Sequence, residues 1–247
     1  YFYCSLGTVL ATNDNFSLAF DLRLRDVTVG IDTNQPFTFQ LAIGLLNFHN
    51  STNENFSRGV GVNAAYGPRN LVEFDYFPDS GFGATIAPTI VSTNNRFAYA
   101  HTFPLELVPA DFFHIEMTYT ASNRVLRTLM TRNGAPFGLP PDNLIEDLVM
   151  ASTPDFRVDT LAVSSYSDQR ADGSILAHGV VDDFLLTLPP PPVRNLVGAV
   201  ATNHFQAWFD GYTNWLYALE RSSDTQAWTG VAASPRAVGT SLLLQDP

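Results

Sequence analysis

The 247-residue sequence contains a single cysteine and no lysine. One cysteine, Cys4, cannot form an intrachain disulfide, so we interpret it as a small apolar side chain in a strand. All 13 basic residues are arginines, 24 residues are acidic, and the formal net charge is −11. Because phosphate backbones are bound by clustered cations, this composition argues against nucleic acid as a partner.

Long apolar runs are also missing, and no stretch of the sequence is apolar enough over its length to span a membrane as a helix. The chain shows no signal-peptide pattern and opens on strand-like residues at 1–3, as a mature or trimmed secretory product would. We therefore expect an extracellular or cell-surface protein without a membrane span.

Helical periodicity is almost absent, whereas short segments of alternating polarity recur along the chain. Alternation with a period of two places the apolar side chains on one face of a strand. The segments that show it are 16–24, 37–45, 115–119, 125–130, 156–163 and 180–188. An Asn-Gly pair at 133–134 adds a hairpin signal. The sequence predicts an all-β sandwich of about ten strands, with one short helix at 141–150 capped by Asp142.

Four consecutive prolines at 189–192 divide the chain. Proline donates no hydrogen bond to a sheet and favours a stiff, extended spacer. We therefore expect a sandwich domain at 1–188, a linker at 189–192 and a small β module at 193–247.

The segment 71–79, LVEFDYFPD, carries two carboxylates two residues apart inside an apolar, aromatic run. In a strand, Glu73, Asp75 and Phe77 share one face, while Val72 and Phe74 lie on the other. Two carboxylates on one face repel each other unless something lies between them. A shared proton, a divalent cation, or a network of arginine and hydroxyl groups would each relieve that repulsion.

Residues 72–75, V-E-F-D, resemble the metal-binding strand of legume-type lectins, and the segments 40–46 and 59–62 resemble the two stretches that precede it. The chain is thus similar over 15–188 to the concanavalin-like superfamily of lectins, laminarinase-like glucanases and laminin-G-like domains. The resemblance implies a concanavalin-like jelly-roll sandwich. It also implies a calcium site formed by Glu73, Asp75, the backbone carbonyl of Phe77 and Asp79. The competing interpretation is a carboxylate pair hydrogen-bonded by neighbouring side chains.

A second acidic pair, Asp182-Asp183, resembles the closing strand I-D-D-x-x-I of laminin-G-like and carbohydrate-binding jelly rolls. In those families one aspartate of the pair contributes to a structural calcium, a role that the resemblance assigns here to Asp183. Because adjacent residues of a strand point to opposite faces, at most one of the two serves a buried ion. An aspartate facing solvent is the equally weighted alternative.

The asparagine-rich loop at 47–69 has the composition of a polar recognition loop, and also that of any solvated loop. The acceptor aspartate of the lectin monosaccharide site is absent, because Phe39 and Gln40 stand near its position. A glycan or cell-surface polysaccharide is the expected partner, and the candidate carbohydrate-binding residues are Asn47, His49, Arg58, Tyr66 and Arg69.

Laminarinase-like hydrolases carry E-x-D-x-x-E on the corresponding strand, with the last Glu as general acid. Glu73 and Asp75 match the first two positions, but the third is Pro78, which has no proton to give. Asp79 could replace it only through a bulge. Retaining hydrolysis needs a pair of carboxyl groups, so glycoside hydrolysis is the less favoured function and we expect no catalytic residue.

Residues 219–224, L-E-R-S-S-D, resemble the small fibronectin-like C-terminal modules of secreted bacterial surface proteins. Those modules continue into one further strand, so the resemblance predicts that this module is trimmed or completed by another chain. The apolar segment 240–245 is of the kind that adds to a neighbour's sheet edge.

The sequence thus predicts an all-β protein, a concanavalin-like jelly-roll sandwich plus a small β module. The predicted function is secreted, non-catalytic recognition of carbohydrate or a cell surface. The alternative is a structural subunit of an extracellular fibre or coat, a homo-oligomer assembled by strand pairing between chains.

Overall fold

The structure, a computed structural model, divides into two compact units, Tyr1–Pro189 and Pro190–Pro247. The division falls inside the proline run at 189–192. The structure describes residues 2–28, 40–52, 69–78, 80, 82–149, 155–166, 176–189, 193–201, 204–212, 215–234 and 241–246.

The first unit is built almost entirely of strands, as the period-two segments predict. In chain order its elements are β1 (Phe2–Ala11), β2 (Phe16–Thr28), β3 (Gln40–Leu46), α1 (Phe48–Ser51), β4 (Leu71–Phe77), β5 (Thr85–Val91), β6 (Phe97–Tyr99), β7 (Phe113–Thr120), β8 (Val125–Arg132), β9 (Ala135–Pro136), β10 (Leu148–Val149), β11 (Arg157–Tyr166) and β12 (Leu176–Thr187).

These strands form two antiparallel sheets. The first has the order β1-β11-β3-β4-β5-β6, and the second has the order β10-β8-β7-β2-β12, with β9 also pairing with β8. The two earliest strands each pair with one of the two latest, β1 with β11 and β2 with β12. This wrapping of the chain ends around a double sheet is the jelly-roll arrangement. The predicted fold class, an all-β jelly-roll sandwich, is confirmed.

The hydrophobic core lies between the two sheets and follows the alternation of the sequence. Along β2 the buried positions are Phe16, Leu18, Phe20, Leu22 and Leu24. The first sheet contributes core residues from β3 and β4, among them Ile43, Leu45, Val72, Phe74 and Tyr76. The rings of Phe20 and Phe74 meet edge to face across the two sheets, with centroids 5.9 Å apart. Each fully buried side chain of this size stabilises the fold by roughly 1.5–3 kcal/mol.

The helix predicted at 141–150 is wrong. Leu139 and Leu144 instead exchange both backbone hydrogen bonds, at 3.0 and 3.3 Å, and close a tight loop between them. Asn143 within that loop has a φ of 54°, which no right-handed helix contains. Leu148 and Val149 then pair with β8 as β10. The apolar spacing at 145–149 therefore reflects burial beneath a loop and at a sheet edge.

The second unit contains a three-stranded sheet, β13-β14-β17, and a two-stranded sheet, β15-β16. Its strands are β13 (Arg194–Ala201), β14 (His204–Asp210), β15 (Ala218–Arg221), β16 (Thr229–Ala233) and β17 (Ser241–Asp246). β17 pairs with β14 along its whole length, from Ser241 opposite Asp210 to Asp246 opposite Phe205. The apolar C-terminal segment is thus paired inside its own module.

The L-E-R-S-S-D motif at 219–224 covers the end of β15 and the turn that follows it. The Asp224 carboxylate accepts hydrogen bonds from the backbone N–H groups of Ala227 and Gln226, at 3.0 and 2.9 Å, and from the Ser222 hydroxyl at 3.1 Å. These donors lower the pKa of Asp224 below its usual value. Arg221 pairs with Asp246 of β17 at 3.2 Å. The motif therefore shapes a turn and links the two sheets of the module.

Candidate functional site

The predicted acidic face lies in the middle of the first sheet. β4 runs between β3 and β5, with Glu73 opposite Gly44 and Thr89. Asp75 lies opposite Ala42 and Ala87. Because the intervening Val72, Phe74 and Tyr76 belong to the core cluster, both carboxylates project from the sheet face that points away from the core.

Although they lie on the outer face, Glu73 and Asp75 are each only 2% exposed. Their cross-strand neighbours Ala42, Ala87 and Thr89 are buried as well. Burying a carboxylate is unfavourable unless hydrogen bonds or an opposite charge compensate it. The burial is compatible with both interpretations of the pair, since a hydrogen-bonded network and a bound cation would each compensate the buried charge.

Small residues opposite the acidic pair make room for it. A Cβ atom at Gly44 would lie 2.3 Å from the Val72 carbonyl oxygen and 3.1 Å from Cγ of Glu73. Only glycine therefore allows β3 to approach β4 this closely while the Glu73 side chain lies above it.

The residues of the predicted calcium site are only partly brought together. Glu73, Asp75 and Phe77 share one strand, and Asp79 lies outside the described residues. Asp183, predicted to serve a separate structural calcium, belongs to β12 in the other sheet. Calcium takes about six to eight oxygen ligands. In the described part of the chain, no group of three or more His, Cys, Asp or Glu side chains is placed to hold a metal ion.

Asp183 occupies an irregularity in the pairing of β12 with β2, between Asp182 and Leu185. Its φ is 49°, and its N–H donates to the Asp182 carboxylate at 2.9 Å. Both aspartates are exposed. The pair therefore shapes a bulge at the surface, and its part in a calcium site stays a prediction.

The calcium hypothesis makes a direct prediction about thermal unfolding. An ion that binds only the native state raises the unfolding midpoint by mass action. Calcium in millimolar excess should then raise the midpoint above that in chelator, and Glu73→Gln should abolish the difference. Identical midpoints in calcium and in chelator would contradict the hypothesis and leave the acidic pair as a hydrogen-bonded network.

The first residues of the predicted recognition loop form α1, a single helical turn after β3. Asn47 is its N-cap, and its side-chain oxygen accepts from the N–H of Asn50 at 3.1 Å. The Asp159 carboxylate of β11 accepts from the N–H of Phe48 at 2.9 Å and from the Asn47 amide at 3.3 Å. Asn47 therefore holds the turn in place.

Asn70 fastens the same turn from the opposite side. It is buried, with a φ of 56°, and its amide donates to the side-chain oxygen of Asn50 at 2.7 Å. Its own side-chain oxygen accepts from the Thr93 hydroxyl at 2.9 Å and from the Arg157 N–H at 2.8 Å. The sequence analysis did not identify Asp159 or Asn70 as anchors of this turn. For Asn70, the available signal was that asparagine tolerates a positive φ.

The anchored turn and the neighbouring strand β1 each present one aromatic ring to solvent. Phe48 of α1 and Tyr3 of β1 are 38% and 51% exposed, and their ring centroids lie 5.0 Å apart. His49, a predicted carbohydrate-binding residue, is exposed beside them. We call Tyr3, Phe48 and His49 the α1 platform. Of the other predicted residues, Arg69 is exposed just before β4, while Arg58 and Tyr66 lie outside the described residues.

The arrangement offers no general acid at the position where a laminarinase-like hydrolase carries one. Pro78 follows directly after β4. The two matching carboxylates, Glu73 and Asp75, are almost completely buried.

None of the helices in the described ranges is long and apolar enough to cross a membrane.

No family model matches the chain, and no curated protein is similar enough in sequence to be matched. Among solved structures, the chain is similar to peanut lectin in complex with a nine-residue peptide, at 14% identity and a TM-score of 0.37 over 72% of this chain and 73% of that one. Griffonia simplicifolia lectin I-B4 in its metal-free form has 12% identity and a TM-score of 0.33, over 76% and 78%. The seed lectin of Lotus tetragonolobus has 14% identity and a TM-score of 0.33, over 77% and 80%. These distant similarities assign neither ligand nor activity to this chain.

Proposed function

We propose that this protein is a secreted, non-catalytic recognition protein that binds carbohydrate at the cell surface, with a small fibronectin-like module following its jelly-roll domain. The observation that carries the proposal is the α1 platform. The exposed ring of Phe48, on a turn that Asp159 and Asn70 fasten to the sheet, lies 5.0 Å from the exposed ring of Tyr3 in β1.

Aromatic rings present flat apolar faces that suit the apolar face of a sugar ring, and neighbouring polar groups can then orient its hydroxyls. A turn already held in its bound conformation loses little entropy on binding. Since the chain carries a net charge of −11, acidic polysaccharides are disfavoured and a neutral glycan is the expected ligand.

Replacing both rings, in Tyr3→Ala/Phe48→Ala, should weaken glycan binding by about 10- to 100-fold. Aromatic contacts contribute about 0.5–1.5 kcal/mol each beyond the area that they bury, and each 1.4 kcal/mol is about tenfold in affinity. A glycan array would identify ligands for the unmodified protein, and calorimetric titration would then compare the variants.

Phe82→Ala is the matched control, because Phe82 is 68% exposed and contacts the exposed ring of Phe103 away from α1. An equal loss in this control, or no glycan binding by the unmodified protein, would contradict the proposal. Release of reducing sugar from laminarin would contradict its non-catalytic part.

The second candidate, a structural subunit of an extracellular fibre or coat, is favoured by an apolar stripe on the C-terminal module. Val197, Trp208 and Leu243 are cross-strand neighbours on one face and are 58%, 37% and 45% exposed. Exposed apolar stripes of this kind mark contact surfaces between proteins. A molar mass that grows with protein concentration in light scattering would favour this candidate over recognition by a monomer.

A further inference from the structure

A solvent-accessible cavity of about 560 Å³ lies on the second sheet, where the end of β2 pairs with the beginning of β12. We call it the bulge cavity. Its volume falls within the range of about 300–1,000 Å³ that is typical of small-molecule sites. Its lining residues are Arg23, Leu24 and Arg25 of β2, His178, Gly179 and Val180 of β12, and Ala110 of the loop before β7.

An irregularity in the strand pairing shapes the bulge cavity. Gly179 lies opposite Leu24, and the next pair is His178 opposite Asp26. Arg25 is therefore an extra residue of β2 with no counterpart on β12, which is the pattern of a β-bulge. Bulges change the direction of the side chains that they carry, and they recur beside functional sites.

Two close backbone contacts hold the bulge in place. The N–H of Ala110, whose φ is 72°, donates to the Leu24 carbonyl at 2.7 Å. A Cβ atom at Gly179 would lie 2.4 Å from the Arg23 carbonyl oxygen, so only glycine lets the two strands approach this closely. The backbone of the bulge cavity is thus formed before any ligand arrives, which lowers the entropic cost of binding.

The lining of the bulge cavity reverses the sign of the chain's overall charge. Two of the 13 arginines line it, whereas no carboxylate of the described residues does. Because Leu22 and Leu24 belong to the core, Arg23 and Arg25 lie on the outer face of the sheet, where both are exposed. On a chain with a net charge of −11, a cavity lined by cations attracts anions locally.

The two arginines differ in what already compensates their charge. Nε of Arg25 lies 3.4 Å from one carboxylate oxygen of Asp26, and the other oxygen lies 2.6 Å from Nδ1 of His178. Arg23 makes no ion pair with any described residue, and its guanidinium lies over the Phe112 ring, 5.8 Å from the centroid. A guanidinium over a ring keeps its N–H edges for an acceptor. Arg23 is therefore the group whose charge a ligand would compensate.

These donors suit an oxyanion. A guanidinium donates paired N–H bonds to the oxygens of a carboxylate, sulfate or phosphate group. Since Asp26 engages Nδ1 of His178, the ring keeps Nε2 for a ligand. A polyanion would meet repulsion from the whole acidic chain, whereas a small molecule with one anionic group meets mainly the local positive charge.

We propose that the bulge cavity binds a small ligand through a single oxyanion group, with the Arg23 guanidinium as its principal partner. The α1 platform is formed by β1 and α1 beside the first sheet, whereas the bulge cavity lies on the second. The inference goes beyond the neutral-glycan function proposed for that platform, and either site can fail without the other.

The test follows the backbone amide signals of the full chain by ¹H–¹⁵N NMR during titration with sulfate, inorganic phosphate and glucuronate. Sodium chloride keeps the ionic strength constant. At least one anion should shift the amides of 23–25 and 178–180 in a saturable manner, and the anion that binds most tightly identifies the oxyanion group. Arg23→Gln should weaken this binding by about tenfold or more, because charge-assisted hydrogen bonds are lost.

Arg96→Gln is the matched control, because it removes the same charge from an exposed arginine between β5 and β6 of the first sheet. It should change the affinity by no more than about twofold, since distant exposed charges are screened. Equal losses in Arg23→Gln and Arg96→Gln would indicate general attraction of anions and overturn the proposal. Unchanged binding in Arg23→Gln, or no saturable shift with any of the three anions, would overturn it as well.

A second measurement separates loss of a ligand contact from loss of folding. In chloride alone, Arg23→Gln should unfold at the same temperature as the unmodified protein, because Arg23 is exposed and forms no ion pair with a described residue. A clearly lower midpoint would assign Arg23 a structural role instead of a ligand contact and would contradict the proposal.

Discussion

Replacing Phe74 by alanine should destabilise the first unit by about 3–5 kcal/mol, the cost of deleting a large aromatic side chain from a core that cannot collapse around the gap. Phe74 is completely buried at the centre of β4, and its ring meets Phe20 of the opposite sheet edge to face. Both sheets therefore border the cavity. Chemical denaturation followed by circular dichroism would measure the loss.

The C-terminal unit can be followed separately in the same experiment, since all three tryptophans lie there, at 208, 215 and 228. Tryptophan fluorescence reports that unit, and the β-sheet dichroism is dominated by the sandwich. Phe82→Ala is the control, because an exposed substitution should change stability by no more than about 0.5 kcal/mol. A loss below about 1 kcal/mol in Phe74→Ala would mean that the two sheets do not share this core.

The second large effect is expected at Gly44, where alanine should destabilise the first unit by about 3 kcal/mol or more, at or above the usual cost of overpacking. The new Cβ atom would lie 2.3 Å from the Val72 carbonyl oxygen and 2.7 Å from Cα of Glu73. Both are backbone atoms of the neighbouring strand, so β3 and β4 would have to separate. Thermal unfolding would show a lower midpoint.

A glycine elsewhere in a strand gives the control. A Cβ atom at Gly230 in β16 would meet no atom within 4 Å, so Gly230→Ala should leave stability unchanged or slightly higher. If Gly44→Ala unfolds at the same temperature as the unmodified protein, the two strands do not approach each other as closely as the structure has them.

The strands were predictable because each depends on a local pattern. Alternation along 16–24 identified β2, whose buried residues are the ones that the pattern places on a single face. The same rule placed Glu73 and Asp75 together, opposite the core side of β4. The rule failed at 141–150, where apolar spacing alone does not distinguish a helix from a loop that packs on a sheet edge.

The candidate sites were less predictable, because their decisive contacts join distant parts of the chain. Asp159 lies 112 residues from Asn47, whose side chain it holds. Asn47, predicted as a sugar ligand, also caps α1, a role that the sequence did not indicate.

By itself, the sequence determined the all-β class and the side of strands such as β2 that faces the core, because side-chain direction follows from a period of two. It also predicts a division of the chain at 189–192, because prolines cannot continue a sheet. Only the tertiary structure decided which strands are neighbours, that the two carboxylates of the outer face are buried, and that β17 pairs with β14 of its own module. Those outcomes depend on pairing between segments far apart in the chain, and no local pattern records which partner a strand edge will find.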